Sequence, residues 1–272
     1  MSKDNLTYEQ LFDLLQNECS EEEYWSFISR LRKLPCNEVY EKAIEFIKSD
    51  NKKDKIIGID VLQQLGFNPR FKQEQTVKLH FELLEVHKTD VVTESLLYGI
   101  GHNNENLSQL QIDNLTQLDE FVDDDINQAY ISALSGINNI KAIRKLIQFT
   151  NSKNSDIRNW STFGIGTQVE VDSEEIRESL WKRVKDSNFE TKSEAIYGLA
   201  KRKDYRIKSI IMSELKNESY GTLILESTVL LNDSDLRDQL KENLKTATKD
   251  ETDWPKLIKE AISEIEKTHN TR

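Results

Sequence analysis

The chain has 272 residues, a net charge of −11 and only 9 glycines and 3 prolines. So few turn-forming residues favour long regular elements over a turn-rich β fold. No apolar run approaches the ~18 residues of a membrane span, and the N-terminus lacks the basic and apolar segments of a signal peptide. We therefore expect a cytoplasmic protein that makes no membrane contact.

The first 50 residues predict three amphipathic helices, because apolar residues recur there at every third or fourth position. The first helix is expected over residues 6–17. Ser20 and Glu23 form a capping-box pattern at the start of the second helix, and Pro35 is expected to stop it. The third helix is expected over residues 38–48.

From residue 52 onward, the sequence shows a repeat of two helices. One helix of each pair ends in Leu or Ile followed by Gly, Asn or Ala, at intervals of 28 to 37 residues. These segments are 54–66, 90–101, 125–138, 156–166, 190–200 and 222–232, and the helices between them are 72–86, 107–122, 140–149, 173–184, 207–215 and 236–244. Pro255 suits the first turn of a last helix over 254–266.

Helix pairs repeated in this way are typical of an α-solenoid. The sequence therefore predicts an all-α fold, a right-handed α-solenoid of six to seven helix pairs in a single domain. Residues 1–50 would form N-terminal capping helices, residues 52–232 the repeats, and residues 233–272 a C-terminal cap.

A glycine stands two residues before four of the helix ends, at Gly99, Gly136, Gly164 and Gly198. Glycine inside a helix costs roughly 0.5–1 kcal/mol relative to alanine. Because this cost recurs at the same position of each repeat, we predict that another helix crosses close to the backbone at each of these glycines.

Two stretches carry the pattern of a known repeat. Asp-Ile-Arg at 156–158 leads into Gly-Ile-Gly at 164–166, and residues 133–142 read Ala-Leu-Ser-Gly-Ile-Asn-Asn-Ile-Lys-Ala. This pattern resembles the HEAT repeat, loosely over 52–232 and best over 125–204, and it is similar to that of uncharacterised bacterial HEAT-repeat proteins. The resemblance implies an armadillo-type fold and, for most members, protein binding. Two subgroups differ: alkylpurine DNA glycosylases and bilin lyases.

Trp160 is the most unusual residue in the repeat phase, because its counterparts are polar or small: Asp60, Ser95, Ser132, Glu194 and Glu226. If those counterparts face solvent, Trp160 lies on the concave surface, and Asp156 and Arg158 one turn earlier complete a polar and aromatic patch. Arg and Trp are typical interface anchors. In the alternative, Asp156 starts the helix, Arg158 bonds a neighbouring repeat, and Trp160 is partly packed.

Glu190 and Glu194 are four residues apart and therefore share one helix face. Together with Arg202 they complete the predicted partner-binding residues. A carboxylate pair also suits acid–base chemistry, but the nearby Lys192, Lys201 and Arg202 favour solvated ion pairs.

The sequence predicts no metal site and no cofactor. The three histidines, His80, His87 and His102, lack the spacing of a metal-binding motif such as HExxH. The two cysteines lack CxxC spacing, so we expect them to be small buried thiols. The acidic cluster over 119–125 does not fit a calcium loop. Asp124 and Asp125 are expected to favour the following helix N-terminus, and the alternative is an acidic lip for a basic ligand.

Charge is uneven along the chain: −12 for residues 1–140, +4 for 141–218 and −3 for 219–272. An acidic N-terminal half disfavours nucleic acid and attracts a basic partner. We therefore expect a non-enzymatic, monomeric HEAT-repeat protein that binds a protein in its concave groove, one version being a bacterial immunity or inhibitor protein.

Two alternatives remain from the resemblance. The first is a DNA-binding or DNA-glycosylase-like enzyme acting through Asp156, Arg158, Trp160 and Glu194. The second is a chaperone similar to the bilin lyases, for which the sequence offers no specific residue.

Overall fold

The protein is described by a computed structural model over residues 6–67, 70–217, 220–247 and 253–270. Within these ranges it forms sixteen α-helices and no β-strand, which confirms the predicted all-α class. The helices are α1 (Tyr8–Gln16), α2 (Glu21–Arg32), α3 (Asn37–Lys48), α4 (Lys52–Gln64), α5 (Gln73–Leu84), α6 (Val91–Gly101), α7 (Gln109–Thr116), α8 (Asp124–Leu134), α9 (Ile140–Phe149), α10 (Ser155–Phe163), α11 (Glu174–Arg183), α12 (Phe189–Lys201), α13 (Lys208–Lys216), α14 (Thr222–Leu231), α15 (Ser234–Ala247) and α16 (Trp254–Asn270).

Helix starts follow local side-chain chemistry. The capping box predicted at Ser20 and Glu23 is present, and Asp90 caps α6 through the backbone N–H groups of Val92 and Thr93. Such a cap satisfies backbone donors that the first helical turn leaves unpaired, and is worth about 1 kcal/mol. Asp124 and Asp125 lie in the first turn of α8, as predicted.

The helices group into two compact units, residues 1–137 (the N-terminal unit) and residues 138–272 (the C-terminal unit). In the N-terminal unit, α2, α4, α6 and α8 pack against one another in succession, while α3 packs on α4 and α5 packs on α6. Their facing stripes bury residues such as Ile57, Leu96 and Tyr130, each with 0 % exposure.

The C-terminal unit repeats this arrangement. Helices α10, α12, α14 and α16 pack in succession, and the odd-numbered helices α9, α11, α13 and α15 each pack on the helix that follows them. Ile157, Ile196 and Ile224 lie in the buried stripes of three successive even-numbered helices. The buried stripes of these even-numbered helices therefore lie against neighbouring helices of the same unit.

The glycine prediction is confirmed at Gly99 and Gly198. A Cβ atom on Gly99 would lie 2.6 Å from the ring of His80, and one on Gly198 would lie 2.7 Å from the Cα of Gly166. The prediction is wrong for Gly136, which follows the end of α8 with φ of +83°, and where a Cβ atom would meet nothing within 4 Å. That glycine serves a left-handed turn, which strains other residues.

Two predicted helices are shorter than the periodicity indicates. The helix expected over 107–122 is α7, which runs only from Gln109 to Thr116. Beyond its end, the side chain of Asn127 pairs with both the N–H and the C=O of Phe121. The helix expected over 156–166 ends at Phe163 and continues as one π-helical turn, Gly164–Gln168.

Two further findings concern the cysteines and the membrane. Cys19 and Cys36 are free thiols that are half-buried, not buried as expected. Among the described helices, none has the length and apolar character needed to cross a membrane.

Candidate functional site

Trp160 is exposed on α10, with 50 % of its surface accessible, and its ring meets that of Phe163 edge-on at 5.9 Å. Asp156 is also exposed, in the first turn of the helix, where Asn154 caps its backbone N–H. Asp156 and Trp160, which the sequence predicts to share one patch, therefore both lie at the surface.

Arg158 does not join them. Its guanidinium forms two parallel hydrogen bonds to the carboxylate of Asp186, at 2.9 and 3.0 Å, and Nη1 donates to the carbonyls of Ser152 and Lys153. The side chains of the pair are only 13 % and 4 % exposed. This bidentate contact lowers the pKa of Asp186. Arg158 thus links α10 to the loop after α11, as the alternative interpretation expected.

Arg202 is buried and cannot contact a partner, which corrects its assignment to the partner-binding surface. Its Nη1 donates to the carbonyls of Gly166 and Gly198, and its Nη2 donates to those of Ile165, Val169 and Val171. Several of these carbonyls lie in or just after the π-helical turn, where regular helical pairing ends. The fixed fork of guanidinium donors satisfies them.

Glu190 is exposed, and Asn159 donates to it at 3.4 Å. Glu194 is half-buried and accepts a hydrogen bond from Thr167 at 2.9 Å; burial raises its pKa, and Glu226 and Glu190 add to the effect. The solvated ion pairs expected here are absent among the described residues: Lys192 pairs with Glu214 and Lys201 with Glu170.

The structure therefore brings Trp160, Asp156, Glu190 and Glu194 to the surface of the C-terminal unit. It places both predicted arginines inside the fold. What remains of the predicted patch is a surface of acidic and aromatic side chains.

The N-terminal unit contains a pocket that the sequence interpretation missed. It has a volume of about 480 Å³ and lies between α2, α4 and α6. Its lining combines aromatic, apolar, acidic and amide side chains: Trp25, Ile56, Asp60, Gln63, Gln64, Val91, Glu94, Ser95, Tyr98 and His102.

Asp60 is the buried polar group of this pocket, with 5 % exposure. Its carboxylate accepts hydrogen bonds from the hydroxyl of Tyr24 at 2.6 Å, from that of Ser95 at 2.5 Å, and from the amide of Gln63 at 2.7 Å. Burial raises its pKa to about 6, although the three donors act in the opposite direction. Perturbed carboxyl groups in clefts mark candidate functional sites.

Glu94 lines the same pocket one residue before Ser95 and is half-buried. Burial raises its pKa, and the negative charges of Asp125, Asp123 and Asp60 raise it further. Trp25 is 41 % exposed at the pocket and meets Tyr24 edge-on at 5.3 Å.

One signal in the sequence points to Asp60: it interrupts the apolar run Ile56–Leu62, in which every other residue except Gly58 is large and apolar. The placement of Trp160 on a concave surface depended on the condition that its counterparts face solvent. Asp60 and Ser95 do not meet that condition, since they are only 5 % and 9 % exposed.

The three histidines are not brought together. His80 is fully buried, its pKa falls to about 3 because of burial, and neither ring nitrogen has a partner among the described residues. His87 pairs with Asp90, and His102 Nδ1 lies 2.7 Å from the amide oxygen of Gln63. Over the described ranges, no group of three or more His, Cys, Asp or Glu side chains has the geometry of a metal site.

Comparisons with known proteins give bacterial relatives but no family. No family model matches the chain. YibA of Escherichia coli K12 is 35 % identical over 111 residues, which is 41 % of this chain and 39 % of the relative, and YibA of E. coli O157:H7 gives the same values. The alignment thus spans well under half the length of these curated relatives.

One solved structure is similar in fold over almost the whole chain. The X-ray structure of E. coli YibA matches with a TM-score of 0.66 and 24 % identity, covering 96 % of this chain and 93 % of that one. At this identity the match concerns the fold alone, and it agrees with the all-α class.

Proposed function

We propose that this chain is a non-enzymatic, HEAT-like α-solenoid that binds a basic protein partner through its N-terminal unit. The observation that carries the proposal is the segregation of charge between the two units. Residues 1–137 carry a net charge of −12, whereas residues 138–272 carry +1. A field of one sign over a single unit steers a partner of the opposite sign and speeds its association.

The solenoid part of the proposal is supported by packing inside each unit. Successive even-numbered helices stack on one another, and the helices α1, α3, α5, α9, α11, α13 and α15 each pack on the helix that follows them. Stacked helix pairs of this kind present a long row of equivalent surface positions, which suits the binding of an extended protein surface. A cytoplasmic location and a monomeric state belong to the same proposal.

One version of the partner is a basic toxin, which would make the chain an immunity or inhibitor protein. The size, the acidity and the helical fold support this version. A DNA-glycosylase-like enzyme is less well supported, because Arg158 is paired with Asp186 and Arg202 is bonded to backbone carbonyls. Neither guanidinium is free to contact phosphate, the dominant contact of nucleic-acid binding.

The test is affinity capture by the full chain from a lysate of the native host, at low and at high salt. We expect captured proteins to be basic and to dissociate as salt rises. The triple variant Glu94→Gln, Asp123→Asn and Asp125→Asn in the N-terminal unit should lose the partner.

A matched triple variant in the C-terminal unit, Asp156→Asn, Glu190→Gln and Glu194→Gln, changes the charge equally and should retain the partner. The proposal fails if the second variant loses the partner and the first keeps it, since the Trp160 surface would then be the interface. It also fails if nucleic acid or a small molecule co-purifies in place of a protein.

A further inference from the structure

The pocket between α2, α4 and α6 has a buried anionic floor that lacks a counter-ion. Asp60 accepts three hydrogen bonds, all from neutral groups, and no ion pair to Asp60 exists among the described residues. Three donors hold its two oxygens in one orientation and stabilise the ionised form. A buried carboxylate without a cation is costly, so a cation that reaches it regains much of that cost.

The wall of the pocket is also acidic. Glu94 is half-buried, forms no ion pair within the described part of the chain, and experiences the charge of Asp60. Two carboxylates that line one cavity repel each other, and one positive charge between them lowers the electrostatic energy of both. A neutral or anionic ligand brings no such gain.

The lining also includes two aromatic side chains, Trp25 and Tyr98, and the apolar side chain of Val91. Aromatic faces attract cations through their quadrupole and also bury alkyl carbons. The contact of Trp25 with Tyr24, whose hydroxyl is bonded to Asp60, connects the aromatic wall to the anionic floor. The pocket thus combines an apolar entrance with a charged end.

We propose that this pocket binds a basic side chain of the protein partner, with its alkyl stem against Trp25 and Tyr98 and its cationic head between Asp60 and Glu94. The inference rests on the proposed function and names the chemical group that the partner inserts. Arginine fits better than lysine. Its planar guanidinium pairs with more than one carboxylate, stacks on aromatic rings and loses little hydration on burial.

The test uses the full-length protein, labelled with ¹⁵N, and three probes followed by NMR. The probes are the capped peptide acetyl-Gly-Arg-Gly-amide, the same peptide with citrulline as a neutral isostere of arginine, and free n-propylguanidinium. Trp25 reports on the pocket through its indole N–H, and Trp160, on the other unit, serves as an internal control.

We expect the arginine peptide to shift the indole signal of Trp25 but not that of Trp160, and the citrulline peptide to leave both unchanged. Asp60→Asn and Glu94→Gln should each weaken the arginine response at least about tenfold. Glu74→Gln, an exposed carboxylate on α5, is the matched control and should behave as wild type. Glu94→Gln keeps the test decisive if Asp60→Asn does not fold.

An equal response to citrulline, or an unchanged Trp25 signal, overturns the inference. Binding of free n-propylguanidinium with exclusion of the peptide also overturns it, since the ligand would then be a free organic cation. If the arginine peptide fails while capture of a basic partner still depends on salt and on the N-terminal carboxylates, only the pocket assignment is lost. If the peptide binds but no basic partner is captured, the proposed function is lost.

Discussion

Replacing Asp60 by asparagine tests the electrostatics of the pocket through protein stability. The substitution keeps the shape of the side chain and removes its charge. Tyr24 and Ser95 donate to Asp60 through hydroxyl groups, which turn to accept from an amide as readily as they donate to a carboxylate. The variant should therefore fold, and its stability should differ from wild type in a way that depends on pH.

The magnitude follows from the pKa of Asp60, which burial raises from 3.8 to about 6. Between these values the native state binds more protons than the unfolded state, so the free energy of unfolding falls as pH rises. At 1.36 kcal/mol per pH unit, the full loss is about 3 kcal/mol. About 2 kcal/mol of it falls between pH 4.5 and 7.5.

The assay is urea unfolding of wild type and Asp60→Asn at several pH values over this range. Other titrating groups, including His80, affect both proteins and cancel in the difference between them. The stability of the variant relative to wild type should rise by about 2 kcal/mol from pH 4.5 to pH 7.5. Two parallel stability curves would refute the claim that Asp60 carries a destabilising buried charge.

Three further substitutions test packing and buried charge. Gly198→Ala should lower the free energy of unfolding by about 1–3 kcal/mol despite the helix propensity of alanine, because the new methyl group would lie 2.7 Å from the Cα of Gly166; an unchanged or higher melting temperature would contradict this. Arg158→Met should cost about 1–3 kcal/mol in urea unfolding, because the buried carboxylate of Asp186 loses its bidentate partner and keeps Arg183 as its counter-ion. A cost below about 0.5 kcal/mol would class the pair as a surface contact. His80→Leu should remove one pH dependence: the stability of wild type relative to this variant should fall by about 1.7 kcal/mol between pH 6.5 and 5, since His80 protonates near 6.5 when unfolded but only near 3 in the fold. If stability curves of wild type and His80→Leu run parallel over that interval, the histidine is not held neutral.

The spacing of the repeats agrees with one contact in the structure. Asp60 and Ser95 are counterparts 35 residues apart, and they are hydrogen-bonded in the structure. In a stacked helical array, equivalent positions of adjacent repeats lie next to each other. What the repeat phase did not predict is whether this column faces solvent, because its members differ: Asp60 is buried, whereas Trp160 is half exposed.

The two predicted arginines show why the candidate site required the tertiary structure. From the sequence, Arg158 and Arg202 are cations near a tryptophan and two glutamates. In the fold, Arg158 meets Asp186, 28 residues away, and Arg202 meets the carbonyl of Ile165, 37 residues away. The donor groups of a guanidinium suit a carboxylate, a backbone carbonyl or a group of a partner protein. Which of these it binds depends on which acceptors the fold places next to it.

The sequence by itself determined the all-α class, the number and order of most helices and the caps that start them. These depend on apolar spacing and on side chains within one turn of the helix, which are local interactions. Only the tertiary structure decided which polar side chains are buried, where Arg158 and Arg202 point, and that Asp60, Glu94 and Trp25 share one pocket. Those outcomes depend on helices that are distant in the chain, and the free energy of burying a charge depends on all of its neighbours.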